Sequence, residues 1–186
     1  MASLPLSFVA YREGIVNILA TKVKIGKDFN PHPSNSPPSL KEYAAIWDTG
    51  ATNSVITKKV AAECDLKPIG MARMHTAGGE RDCPVYFVSI YLPNNAGITQ
   101  VRVTECDELV GEAEVLIGMD IINLGDFAIS NKDGKTVFSF RMPSTGVIDF
   151  VKHQALSEKA MANLSGNRAN IHVGNREQRR RSKKNH

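Results

Sequence analysis

The stretch Tyr43-Ala44-Ala45-Ile46-Trp47-Asp48-Thr49-Gly50 decides the fold of this chain. Five apolar residues in a row predict a buried strand, and that strand ends on a carboxylate, a hydroxyl and a glycine. Glycine permits a tight turn at this point. The strand therefore delivers the carboxylate of Asp48 to a turn at the edge of a sheet. The tripeptide alone is a weak signal, because common residues produce it by chance in a few per cent of chains of this length.

A second sequence element makes the Asp-Thr-Gly tripeptide a stronger signal. About 65 residues downstream, the aliphatic run Val115–Ile117 leads into Gly118, with Asp120 two residues later. The combination resembles the retropepsin family, the retroviral-type aspartic proteases, over residues 15–140. The resemblance implies that Leu116, Ile117 and Gly118 pack behind a catalytic loop. Asp120 is then expected to be a buried polar anchor rather than a catalyst.

The resemblance implies an aspartic endopeptidase, with peptides or proteins as substrates and with no metal or cofactor. Hydrolysis by carboxylates needs two of them around one water, about 3 Å apart and sharing one proton. The chain holds only one Asp-Thr-Gly, since Ser144-Thr145-Gly146 lacks the acid. The site must therefore combine Asp48 from two copies, and we predict an obligate homodimer about a two-fold axis.

The resemblance also implies roles for the residues beside Asp48. The Thr49 hydroxyl hydrogen-bonds across the dimer, Gly50 permits the tight turn, and Ala51 leaves room for the substrate backbone. A mobile flap that closes over substrate is expected at about residues 74–84. The residues near its tip are Ala77, Gly78 and Gly79. An ordinary hairpin turn is the alternative for this segment.

Many short strands with regular turn signals, and few helices, predict an all-β fold. Combined with the resemblance, this is a closed or partly open acid-protease barrel with one or two short helices and an active site at the dimer interface. The predicted strands are Ile15–Ile25, Glu42–Trp47, Val85–Leu92, Ile98–Val103, Val115–Ile117, Asp126–Ser130, Lys135–Phe140 and Val147–Val151. One short helix is expected at Thr57–Cys64, with Thr57 as its N-cap.

The domain prediction has three parts. Residues 1–14 form an N-terminal segment, and 15–151 form the protease domain, with a proline-rich loop at 30–39. Residues 152–186 form a polar extension, which we expect to be disordered in its tail, 175–186. That tail holds six Lys or Arg against one acid, so it accounts for the net charge of +4.

The basic tail suggests a partner. Phosphate contacts by Lys and Arg would give salt-sensitive binding to nucleic acid or another polyanion, although a solvated terminus is the simpler interpretation. A different class of function also stays open, namely a catalytically silent dimeric interaction module that uses this tail. The acidic stretch from Glu105 to Glu114 is expected to be a solvated loop.

The remaining composition points to a cytoplasmic protein. No signal peptide or membrane-spanning run is evident. The five histidines are scattered without ligand spacing. Cys64, Cys83 and Cys106 match neither a metal site nor a disulfide framework, and we expect free thiols in a reducing compartment.

Overall fold

The computed structural model describes residues 4–29, 39–76 and 79–158. Most of the proline-rich loop, the flap residues Ala77 and Gly78, and the basic tail 175–186 lie outside these residues, so the predictions made for them stay predictions. The chain divides into two compact units, Met1–Thr145 and Gly146–His186. In the second unit, residues 150–158 are helical.

The first unit is built almost entirely of strands, which confirms the predicted all-β class. Its strands are β1 (Leu6–Tyr11), β2 (Leu19–Lys27), β3 (Lys41–Trp47), β4 (Val55–Thr57), β5 (Gly70–Thr76), β6 (Gly79–Tyr91), β7 (Gly97–Cys106), β8 (Val115–Ile117), β9 (Asp126–Ser130) and β10 (Val137–Met142). Its described residues also form two short helices, α1 (Lys58–Glu63) and α2 (Met119–Ile122), and one 3-10 turn at Lys132–Gly134.

Seven strands form the larger sheet, in the order β2-β3-β8-β4-β7-β6-β5. An additional pairing of β2 with β6 brings the sheet partly round into a ring. Most neighbours are antiparallel, but β3 runs parallel to β8 and β4 runs parallel to β7. The short strand β8 therefore lies between β3 and β4, where it connects the end of β3 to the rest of the sheet.

The smaller sheet has the order β1-β10-β9, and it packs on the end of β3 through aromatic side chains. The Trp47 ring lies 5.1 Å from Phe138 and 5.1 Å from Phe140, measured between ring centroids. Phe8 of β1 and Phe127 of β9 complete the cluster. The sheet thus covers the residue that directly precedes Asp48.

Asp126 joins the start of β9 to the residues that follow β10. Its carboxylate accepts hydrogen bonds from the Ser144 hydroxyl, the Arg141 guanidinium and the Thr145 N–H. Hydrogen bonds from Ser144 and Arg141 lower the pKa of Asp126 to about 2. The ionised carboxylate therefore stabilises this corner of the first unit.

Several element predictions need correction. Strand β1 was missed, since 1–14 was predicted to be a separate segment, and it pairs with β10 from Leu6↔Met142 to Tyr11↔Val137. Val147–Val151 forms no strand. Strand β2 begins at Leu19 rather than Ile15.

The predicted N-cap position of Thr57 is confirmed, whereas one strand boundary differs from the prediction. Thr57 occupies the N-cap position of α1 but makes no side-chain capping bond, because its hydroxyl donates to Glu114 instead. The strand predicted at Val85–Leu92 begins earlier, at Gly79, so Pro84 lies inside β6.

The acidic stretch is more structured than predicted. Glu105 accepts a hydrogen bond from the Tyr86 hydroxyl at 2.7 Å. Asp107 makes ion pairs with Lys58 and Arg81, and hydrogen bonds from Arg81 and Lys58 hold its pKa well below the usual range. These acids attach the end of β7 to α1 and β6. Among the described residues, no helix is both long and apolar enough to cross a lipid bilayer.

Candidate active site

Asp48 is placed by the pairing of β3 with β8. The parallel register sets Trp47 beside Ile117, and the next main-chain N–H, that of Asp48, donates to the Ile117 carbonyl at 3.0 Å. Asp48 is half-buried, whereas Thr49 and Gly50 are exposed. The predicted strand therefore does end at this carboxylate, although β3 lies between β2 and β8 rather than at the edge of the sheet.

A local turn orients the Asp48 carboxylate. The Gly50 N–H donates to Asp48 Oδ1 at 2.8 Å, and the Ala51 N–H reaches the Asp48 carbonyl at 3.3 Å. A Cβ atom at position 50 would lie 3.1 Å from that same Oδ1, which is tight for a side chain. Glycine at position 50 thus lets the main chain approach the carboxylate closely.

The segment from Gly118 to Asp120 supports the loop from behind. The Met119 N–H donates to the Ala51 carbonyl at 2.8 Å, and the Asp120 N–H donates to the Thr52 carbonyl at 3.1 Å. A Cβ on Gly118 would lie 2.6 Å from the Asn53 carbonyl carbon and 2.7 Å from its oxygen. Only a residue without a side chain fits there unless the loop moves.

Asp120 and Ser54 form a polar clamp under the same loop. Asp120 Oδ2 accepts from the Ser54 N–H at 3.0 Å, and Oδ1 accepts from the Ser54 hydroxyl at 2.8 Å. The Ser54 hydroxyl in turn accepts from the Gly118 N–H at 3.1 Å. Asp120 Oδ1 also accepts from the Ile121 N–H at 3.0 Å. This arrangement is what the expectation of a polar anchor at Asp120 requires.

A cavity of about 420 Å³ opens beside the carboxylate. Asp48 and Thr49 lie in its wall, together with Trp47 and six aliphatic side chains. Those aliphatic residues are Val16, Ile18, Leu19, Ile46, Val110 and Ile129. The site therefore combines one carboxylate with these apolar side chains and with the polar side chains of Asn17, Asn131 and Thr136, as in many pockets that bind small molecules or peptide side chains.

The predicted flap segment is a hairpin. Strands β5 and β6 pair from Gly70↔Val85 to Thr76↔Gly79, and Gly79 has a φ of +108°, which favours glycine. Ala77 and Gly78 lie outside the described residues. Further down the hairpin, Arg81 pairs with Asp107. The flap role of this hairpin stays a prediction.

The structure thus brings together two predicted groups, Asp48 to Ala51 and Leu116 to Asp120. Leu116 pairs with Ile46 and with Val55. The sequence analysis did not identify Ser54. The signal that could have identified it is a hydroxyl six residues after Asp48, at the start of a buried strand. Among the described residues, no three His, Cys, Asp or Glu side chains lie in an arrangement that could hold a metal ion.

Comparison with known proteins agrees with the sequence resemblance. Residues 40–123 match a family described as gag-polyprotein putative aspartyl protease, and this confirms the resemblance to retropepsin-like aspartic proteases. The matched segment contains both the Asp48 loop and the Gly118–Asp120 support. No curated protein shows a significant match.

Three solved structures are similar. A retropepsin-like aspartic protease from Rickettsia conorii is 14% identical, with 76% of this chain and 98% of that chain covered and a TM-score of 0.43. The EIAV protease bound to an inhibitor is 18% identical, with 57% and 86% covered and a TM-score of 0.43. The simian foamy virus protease is 18% identical, with 55% and 89% covered and a TM-score of 0.37.

Proposed function

We propose that this chain, which carries a retropepsin-like aspartic protease segment at residues 40–123, is an aspartic endopeptidase that works as a homodimer. In this proposal, Asp48 from each of two copies contributes to one site. The observation that carries it is the held carboxylate of Asp48 in the wall of a 420 Å³ cavity. Peptides or proteins are the proposed substrates.

The hydrogen bonds that hold the Asp48 loop in place favour a catalytic role for Asp48. An activated water needs a carboxylate whose position is fixed before substrate arrives. Here the Asp48 main chain is bound to Ile117, and its side chain is bound to the Gly50 N–H. The Ser54–Asp120 clamp limits movement of the residues that follow.

The need for a second copy follows from the chemistry. One aspartate must be ionised to take a proton from water, and a second must be protonated to polarise the peptide carbonyl. The sequence contains a single Asp-Thr-Gly. Exposure of Thr49 and Gly50 in one copy leaves this turn available to meet its symmetry mate. The proposed roles of Thr49 and Ala51 in the dimer rest on the resemblance.

The cavity supports a preference in the substrate. Three of its aliphatic residues, Ile18, Val110 and Ile129, are 47%, 63% and 44% exposed. Such side chains gain from covering by another apolar group. We therefore propose that apolar substrate side chains bind near the cleaved bond, with the β5–β6 hairpin as the flap.

Cleavage of a mixed peptide library by purified protein between pH 4 and 7 tests this function. Wild type is compared with Asp48→Asn, and with Asp133→Asn as a matched control on the exposed 3-10 turn. Sedimentation follows the oligomeric state of each protein. The proposal requires cleavage by wild type and Asp133→Asn but not by Asp48→Asn, with activity rising as the dimer forms. Cleavage that survives Asp48→Asn would refute the mechanism.

A dimer without cleavage would favour the interaction module instead. Binding of nucleic acid or another polyanion by the tail 175–186 rests on its sequence alone. An electrophoretic shift measured with and without this tail, at two salt concentrations, tests that prediction. Cytoplasmic location likewise stays a prediction.

A further inference from the structure

Two of the three cysteines lie on neighbouring strands at the base of the β5–β6 hairpin. Cys83 belongs to β6 and Cys106 is the last residue of β7, and the three cysteines are free thiols in this structure. Strands β6 and β7 are antiparallel, with Val85 opposite Thr104. Continuing that register by two residues on each strand sets Cys83 directly opposite Cys106.

The main-chain hydrogen bonds show whether Val85 and Thr104 form a hydrogen-bonded or a non-hydrogen-bonded pair. In an antiparallel sheet, the N–H and C=O of one residue point toward the same neighbouring strand. The Thr104 N–H donates to Ser54, next to β4, and the Val85 carbonyl accepts from Ile69, next to β5. Val85 and Thr104 therefore do not bond to each other, and they form a non-hydrogen-bonded pair.

The cysteines, two residues further along, fall in the same class of pair. Cα atoms of a non-hydrogen-bonded pair lie about 4.5 Å apart, and their side chains are close together. Disulfides span Cα separations of about 4.4–6.8 Å. The strand register therefore gives Cys83 and Cys106 the separation that a disulfide requires.

Contacts on both sides show that the strands stay adjacent at this point. On one side, the Tyr86 hydroxyl of β6 donates to Glu105 of β7. On the other side, Arg81 of β6 forms an ion pair with Asp107, which follows β7. Pro84 has no N–H, which explains why the regular ladder stops at Val85 although the two strands continue together.

The electrostatic environment agrees with this placement. Burial, followed by the negative charges of Asp107 and Cys83, raises the pKa of Cys106 to about 11. Cys64 lies elsewhere, at the end of α1, where its sulfur contacts the Tyr43 hydroxyl at 3.5 Å.

We propose that Cys83 and Cys106 are a dithiol pair. A small-molecule disulfide such as oxidised glutathione converts this pair, by thiol–disulfide exchange, into a reversible disulfide between the two strands. Cys106 is the more exposed of the two, and Cys83 is only 6% exposed. The Cys106 thiolate attacks one glutathione sulfur, forms a mixed disulfide and releases the first reduced glutathione. The Cys83 thiolate then attacks the Cys106 sulfur and releases the second. The two cysteine protons end on the two glutathione molecules.

The pairing can be mapped on the wild-type protein. Folded protein is equilibrated with oxidised glutathione, free thiols are alkylated, and the chain is digested with trypsin without reduction. Cleavage after Arg81, Arg102 and Lys132 separates Asp82–Arg102, which holds Cys83, from Val103–Lys132, which holds Cys106. We expect these two peptides as one linked mass, with Cys64 alkylated. The same treatment of protein unfolded in concentrated urea should no longer favour the link between Cys83 and Cys106 over links to Cys64.

Variants and stability complete the test. Cys106→Ser should abolish the linked mass, whereas Cys64→Ser should leave it unchanged. Oxidation should raise the midpoint of thermal unfolding of wild type by several degrees, and should leave that of Cys106→Ser unmoved. Full alkylation of both cysteines after oxidation, a linkage to Cys64, or disulfide-joined dimers on a non-reducing gel would each overturn the proposal. None of these outcomes depends on peptidase activity.

Discussion

Replacement of Asp120 by asparagine tests whether the clamp under the Asp48 loop stabilises the fold. Each carboxylate oxygen of Asp120 accepts at least one main-chain N–H, from Ser54 at Oδ2 and from Ile121 at Oδ1. Asparagine has only one acceptor oxygen. Whichever way its amide is turned, one of these two N–H groups loses its acceptor and faces another donor.

The cost follows from those contacts. A hydrogen bond to a charged group contributes about 1.5–3 kcal/mol, and a buried donor left without a partner costs about 1–3 kcal/mol. Asp120 is half-buried, so water can satisfy part of the loss. We expect Asp120→Asn to lower the free energy of unfolding by about 1–3 kcal/mol.

Urea denaturation at one fixed protein concentration measures this change. Asp133→Asn, an exposed replacement of the same chemical kind, is the control and should change stability by less than about 0.5 kcal/mol. Ser54→Ala combined with Asp120→Asn should cost less than the sum of the two single changes, because they remove a shared hydrogen bond. Equal effects of Asp120→Asn and Asp133→Asn, or full additivity with Ser54→Ala, would refute the reasoning.

Three further changes have definite expected outcomes. Gly118→Ala places a Cβ against the Asn53 main chain and should cost about 1–3 kcal/mol by urea denaturation, whereas Gly146→Ala, with open space around it, should be nearly neutral. Trp47→Ala removes the centre of the aromatic cluster and should cost about 3–5 kcal/mol, measured by circular dichroism because Trp47 is the single tryptophan. The depressed pKa of Asp126 adds stability above about pH 4 that is lost as pH falls to about 2. Asp126→Asn should therefore flatten the acid-side decline in stability over that interval.

Those three expectations can each fail separately. An unchanged stability of Gly118→Ala would mean that the loop shifts without cost. A Trp47→Ala variant as stable as wild type would show that the smaller sheet does not depend on the cluster. If the stability of Asp126→Asn declined at low pH as steeply as that of wild type, the decline would be due to other carboxylates.

The sequence predicted the strand and turn around Asp48 better than their surroundings, because both are encoded locally. A buried strand, an acid and a turn glycine are adjacent in Tyr43–Gly50, and the structure keeps that order at the end of β3. Val115–Ile117 was likewise recognised as a strand before a glycine. Both segments carry their own hydrophobic and turn signals, so no distant partner was needed to identify them.

The features that were missed depend on distant partners. Strand β1 is short and mostly exposed, and it acquires its structure from β10, about 130 residues away. Thr57 is the N-cap residue of α1 as predicted, but its hydroxyl donates to a glutamate from the 105–114 stretch and makes no capping bond. The opposition of Cys83 and Cys106 depends on the register of β6 and β7. Sequence spacing alone cannot reveal register.

The position of β8 between β3 and β4 also sets the order of events during synthesis. A ribosome releases Asp48 long before it releases Ile117, yet the hydrogen bond that fixes the Asp48 main chain comes from the Ile117 carbonyl. Long-range pairings of this kind form slowly compared with local ones. An emerging chain therefore exposes its Asp-Thr-Gly turn without a fixed geometry until β8 and α2 have left the exit tunnel.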